Sequence, residues 1–138
     1  MTDPALTVEP VIADDLRDWL LSMPRYPVLA VLDSEGAPNQ SVMWFDLDPD
    51  RPDVILMNTR VGRAKERFVR RDPRASLCFE EDYDWIALQG TIELDEDRDA
   101  SMRDIRALAV RYGSNPGQFH GQERITMRLR VERVIRHD

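Results

Sequence analysis

Six short β-type runs, interrupted by three helical stretches, constrain this chain more than any other feature of its sequence. The runs are Val28–Leu32, Asn39–Asp48, Val54–Asn58, Ala75–Glu80, Trp85–Asp95 and a last strand over Arg124–Val134. Turn residues separate them, as in Asp33-Ser34-Glu35-Gly36 and Pro49–Pro52. The fifth run alternates cleanly, with Ile86, Leu88, Gly90, Ile92 and Leu94 on one face and Trp85, Ala87, Gln89, Thr91 and Glu93 on the other. The second holds four consecutive apolar residues, Val42, Met43, Trp44 and Phe45, which predicts a strand covered on both faces. An open sheet of this size exposes two edges, and curling into a small closed or split barrel removes them. The expectation is an α+β, mainly β fold: a split antiparallel β-barrel of about six strands with short helices.

The helical stretches carry the 3.6-residue pattern. Ala13–Met23 places Leu16, Trp19, Leu20 and Met23 on one stripe, and Asp97–Tyr112 does the same with Met102, Ile105, Ala109 and Tyr112. A third helix over Gly62–Arg71 stops at Asp72-Pro73, because the residue before a proline avoids the α region. A chain of 138 residues suits a single core. Residues 1–12 read as an N-terminal arm and 13–138 as one domain.

The net charge of −7 argues against general affinity for nucleic acid. No run approaches the length of about 20 apolar residues that a membrane helix needs. No basic segment followed by an apolar stretch marks a secretory leader, and Cys78 is the lone cysteine. A reducing cytoplasm is therefore the expected setting. With two histidines and one cysteine, no metal site is expected.

The charge is unevenly distributed. Between Arg60 and Arg74 stand seven basic residues against Glu66 and Asp72, an island of +5 in a remainder of −12. Lys65, inside it, is the only lysine among eighteen arginines. Helix dipoles favour acids in the first turn and bases in the last. The Asp97–Tyr112 helix obeys, opening on Glu96, Asp97 and Asp99. The Gly62–Arg71 helix has Arg60, Arg63 and Lys65 at or beside its first turn. An anion docked there would accept the free backbone N–H groups and neutralise the side chains together. Gly62 would allow close backbone approach, Thr59 would add a hydroxyl, and Arg67 and Arg70 could follow a longer acidic tail. Alternatively, the island is a solvated arginine face paired with the acidic stretch Glu80–Asp84.

Two stretches carry a resemblance: Asn58-Thr59-Arg60-Val61-Gly62-Arg63-Ala64-Lys65 and Arg70-Arg71-Asp72-Pro73-Arg74-Ala75-Ser76-Leu77. Together they resemble the phosphate-binding strand–helix unit of the pyridoxamine 5′-phosphate oxidase-like split barrels, closest to the branch that uses the deazaflavin coenzyme F420. Ala30–Pro38 with Ser41–Phe45 is similar to that family's first hairpin, and Trp85–Leu94 and Arg124–Val134 follow in the expected order. The resemblance implies a homodimer with cofactor sites at the subunit interface. It also implies that Thr59, Arg60, Arg63 and Lys65 hold the phosphate, and that Gln40, Ser41, Val42, Met43 and Trp44 lie along the tricyclic ring. Two positions depart from the pattern: Phe68 stands where the family often has asparagine, and Val42 where this branch often has proline.

The implied activity is an F420-dependent oxidoreductase that passes a hydride to an unsaturated or aromatic small molecule. The alternatives are an FMN-binding oxidase or reductase and a non-catalytic carrier of cofactor, haem or lipid. His120, in the glycine-rich loop Gly113–Glu123, is the candidate proton donor. Trp44 is either core or a ring-stacking wall.

Overall fold

A computed structural model describes residues 10–136. In chain order the elements are α1 (Asp14–Leu21), β1 (Val28–Leu32), β2 (Pro38–Val42), β3 (Asp46–Leu47) and β4 (Val54–Arg60). There follow α2 (Ala64–Arg71), β5 (Arg74–Glu81), β6 (Asp84–Asp95), α3 (Arg98–Arg111), a 3-10 turn at Pro116–Phe119 and β7 (Arg124–Arg136). Most of the proposed arm, residues 1–9, lies outside the described residues, while Ile12 is buried in the core.

The seven strands form one antiparallel sheet in the order β2-β1-β5-β6-β7-β4-β3. Its two edge strands, β2 and β3, are joined by Met43, Trp44 and Phe45 alone. Four Cα steps span at most about 14 Å. The sheet must therefore curl until its edges nearly meet, and the gap between them is the split of the barrel.

The same geometry corrects the single strand expected over Asn39–Asp48. The chain leaves one edge after Val42 and joins the opposite edge at Asp46, so no ladder can run through the apolar residues between. Their backbone groups are satisfied elsewhere: the Met43 N–H donates to Pro27 O at 2.9 Å and the Phe45 N–H to the Tyr112 hydroxyl at 3.1 Å. The expectation of cover on both faces fails at Val42, which sits on an outer edge and is 64% exposed.

Inside the barrel, Leu29, Val31, Phe45, Met57, Leu77 and Leu129 pack together, and Leu16 and Leu20 of α1 join the same core. A second cluster lies outside β4, where Leu56 meets Ile105, Leu108 and Ala109 of α3 and Phe119 of the 3-10 turn. Strand β4 is thus buried on both faces until its last residue, Arg60. Strand β6 keeps the expected inward positions Leu88 and Ile92, with a bulge between Gln89 and Gly90. A Cβ at Gly90 would sit 1.9 Å from Arg130 O, so the bulge admits only glycine. Among the described residues no helix is long and apolar enough to cross a membrane.

Candidate functional site

Strand β4 pairs with β7 up to its final residue, which sets Asn58 opposite Thr126, Thr59 opposite Ile125 and Arg60 opposite Arg124. The chain then turns through Gly62, whose φ of +92° is costly for any other residue. A Cβ there would meet no protein atom within 4 Å, so the turn conformation is what calls for glycine within the fold. Helix α2 begins later than expected, at Ala64, because Arg63 is still extended (φ −66°, ψ 154°) as its N-cap. That cap has no side-chain hydrogen bond, unlike α3, where Asp97 accepts the Ala100 N–H at 3.0 Å. The N–H groups of Ala64 and Lys65 therefore have no intrahelical acceptor.

The first turn of α2 does contain one acid. Glu66 is buried, accepts the Gly62 N–H at 3.3 Å and the Arg70 Nε at 3.1 Å, and so braces the turn from behind. Counting charges along the chain could not place it. The rest of the island divides into two groups. Arg70 pairs with Glu66 and Glu96, Arg74 with Asp72, Arg71 donates to Asp33 O, and Arg67 folds back onto Gly62 O. The charge of Arg70 is thus already matched, which disfavours it as a partner for an acidic tail. Among the described residues, Arg70 and Arg74 close on Glu66, Glu96 and Asp72 rather than on Glu80–Asp82.

Arg60, Arg63 and Lys65 form the second group and line a cleft of about 300 Å³. Thr59, Val42, Met43 and Trp44 line it too, so seven of the ten expected residues converge there. Gln40 is exposed on β2, Ser41 is half-buried with its hydroxyl 3.7 Å from Met43 Sδ, and Gly62 stays in the turn; none of the three reaches the cleft. His120 is exposed and also outside the lining, although its neighbour Phe119 is part of it. Trp44 presents a half-buried ring, stacked on Tyr112 at 5.2 Å and 13°. That placement is both core and wall. A larger cleft of about 420 Å³ lies across β1, β5 and β6, away from this cluster.

Sequence reasoning missed Asn58 and Arg124. Arg124 donates from Nε to Asn58 Oδ1 at 3.0 Å and from NH1 to Gln122 Oε1 at 3.0 Å, with its guanidinium 5.0 Å from the centre of the Phe119 ring. Among the described residues, Arg60, Arg63, Lys65 and Arg124 have no carboxylate partner. Burial pushes the Lys65 ammonium below its usual range, and Arg63 and Arg124 push it further. Burial, with Arg60 and Arg63, lowers the Arg124 guanidinium to about 10. Four cations facing one another over an apolar wall form a site complementary to an anion.

The family model for pyridoxamine 5′-phosphate oxidase matches residues 12–138. The chain belongs to this family. Its barrel resembles the solved structure of an F420 reductase, with TM-score 0.72, 22% identity, and coverage of 86% of this chain and 94% of that one. It also resembles the conserved hypothetical protein Rv2991 from Mycobacterium tuberculosis, with TM-score 0.76 and 21% identity over 96% and 88% of the two chains. A third neighbour is HupZ from Group A Streptococcus, with TM-score 0.67 and 16% identity over 91% and 93%. At these identities the neighbours show the fold alone. The pyridoxamine 5′-phosphate oxidase-like barrel is thus seven-stranded here, one more than the runs in the sequence suggested.

Proposed function

We propose that this family member binds a phosphate-bearing tricyclic cofactor, F420 first and FMN second, and works as an oxidoreductase on an unsaturated or aromatic small molecule. The observation that carries the reading is the set of cations without carboxylate partners beside the apolar wall of Met43 and Trp44. Such a cleft has the two chemistries the cofactor presents, an anion and a flat ring. Thr59, Arg60, Arg63 and Lys65 would hold the phosphate, with the N–H groups of Ala64 and Lys65 in reach of the same anion. Val42, Met43 and Trp44 would flank the ring and exclude water from it. When bound in its reduced form, the cofactor supplies the hydride, and the protein supplies orientation and a dry surface.

FMN is the second reading because its terminal phosphate carries two negative charges, which a cluster of four cations suits well. The F420 reductase neighbour favours the deazaflavin. We place the site at the interface of a homodimer. Val42 and Gln40 lie exposed on the edge strand β2, and a second copy laid over that edge would close the ring side of the cleft. The test is a parallel titration of the protein with F420 and FMN at low and high salt. Tight binding of one, weakened by salt, supports the reading; equal weak binding of both overturns it. Adding candidate acceptors to the protein loaded with reduced cofactor then separates enzyme from carrier by the rate of cofactor oxidation.

A further inference from the structure

Two arginines four residues apart on β7 are treated in opposite ways. Arg128 is surrounded by acids: Asp48 at 3.2 Å, Asp95 at 2.8 Å and Asp104 at 3.7 Å. Its charge is matched within the fold. Arg124 occupies a similar half-buried position, but its side-chain hydrogen bonds go to amides, the Asn58 and Gln122 side-chain carbonyls. Those acceptors fix its plane without neutralising it.

The orientation of Asn58 is itself enforced. It is 7% exposed, and its Nδ2 donates to Ser101 O at 2.9 Å and to Thr126 Oγ1 at 3.3 Å. The Thr126 hydroxyl cannot take a flipped amide as its acceptor, because it already donates to Asp104 Oδ2 at 2.6 Å. The Asn58 oxygen is therefore turned toward Arg124. Nε and NH1 are anchored, while NH2 has no partner among the described residues and Arg124 lines the cleft with Arg60, Arg63 and Lys65.

We propose that Arg124 is an anion-recognition residue of this cleft, and that Asn58 and Gln122 are its positioning residues, neutral acceptors that aim the guanidinium while leaving its charge to the ligand. The proposal rests on the reading of the cleft as a phosphate site and extends it to the strand opposite α2. A planar fork held on one side suits an oxygen pair of a phosphate or of a neighbouring acidic group on the same ligand. The lysine across the cleft contributes a point charge instead. A carboxylate at position 58 or 122 would turn Arg124 into a second Arg128.

Calorimetric titration of inorganic pyrophosphate, FMN and F420 into wild type, Arg124→Gln, Gln122→Glu, Gln122→Ala and Asn58→Asp tests this, with thermal melts of each ligand-free variant. Arg124→Gln is expected to weaken anion binding about ten- to a hundredfold, the range of a charge-assisted contact. Gln122→Glu is expected to weaken it about tenfold while the ligand-free melting temperature holds or rises, since a new ion pair replaces a neutral bond. Gln122→Ala removes an acceptor without adding charge and should weaken binding by less than about threefold. Asn58→Asp should weaken binding and also lower the melting temperature, because the donor to Ser101 O is lost. Loss of affinity together with retained stability in Gln122→Glu is a result that a merely structural role would not give.

Affinity of Gln122→Glu and Arg124→Gln within twofold of wild type overturns the proposal. If Gln122→Glu melts early, Arg124→Lys decides, because wild-type affinity in that variant would show that no aimed fork is needed. Pyrophosphate binding that depends on Arg124, with no binding of either cofactor, upholds this inference and sinks the cofactor reading. No anion binding in wild type sinks both.

Discussion

Replacing Lys65 by methionine keeps the apolar stem and removes the one ammonium of the cleft. In the absence of ligand this charge costs stability, because burial and the neighbouring Arg63 and Arg124 hold its pKa below the usual 10.5. The sign is that of a base protonated more readily in the unfolded chain. The penalty is complete at neutral pH, shrinks as pH rises through the lowered value, and is gone above the unfolded value near 10.5. Lys65→Met should therefore melt at or above the wild-type temperature at pH 7, with the difference closing toward pH 11. On the proposed reading, cofactor reverses the order. Cofactor at one hundred times its Kd stabilises wild type by about 2.7 kcal/mol, roughly 8 °C for a domain of this size. Losing one charged hydrogen bond to phosphate costs about 2 kcal/mol, or roughly thirtyfold in Kd. At the same ligand concentration the variant keeps about 0.9 kcal/mol, a shift near 3 °C. Paired thermal melts with and without cofactor, across pH, read both effects. A variant that melts earlier without ligand and binds as tightly as wild type would refute the reasoning.

Three further outcomes are expected from the fold that holds the site. Tyr112→Phe leaves the Phe45 N–H and Arg25 O without the hydroxyl that bridges them, and should cost about 2–3 kcal/mol by urea unfolding while the stack on Trp44 persists. Gly90→Ala drives a Cβ to 1.9 Å from Arg130 O, so backbone must move, and a loss of about 3 kcal/mol is expected in the same assay. Arg128→Gln leaves Asp48, Asp95 and Asp104 facing one another and should cost about 3 kcal/mol at pH 7. Because backbone and Arg128 hydrogen bonds hold the Asp95 carboxyl below its usual range, wild type loses this advantage as pH falls through that lowered value. The gap between wild type and Arg128→Gln should therefore narrow in acid.

What the sequence revealed of the site was its local half. Thr59, Arg60, Arg63 and Lys65 lie within seven residues, and their misfit with a helix dipole is visible without coordinates. Arg124 and Asn58 were not visible, because their meeting depends on the register of β4 against β7 across 66 positions. One residue of slip would turn the arginine to the other face. The run Val42–Phe45 misled for a related reason. Its apolarity fits a covered strand equally well as a crossing between sheet edges, and only the order of the strands decides between them. Folding also sorts the basic island in a way that a count of charges does not show: Arg70 and Arg74 close upon acids, and Arg60, Arg63 and Lys65 do not.

The pairing of β7 with β4 has a consequence for the time course of folding. By residue 74 a growing chain already contains the whole strand–turn–helix unit, yet the opposite wall of its cleft arrives only with the seventh strand. Until β7 docks, Arg124 is absent, the Asn58 amide lacks its bonds to Thr126 and Arg124, and four cations cannot act together. On the proposed reading, a partly folded chain would offer ligand only the local half of the site. Bound to the complete site, ligand would slow the opening of the finished barrel more than it would hasten the steps that build it.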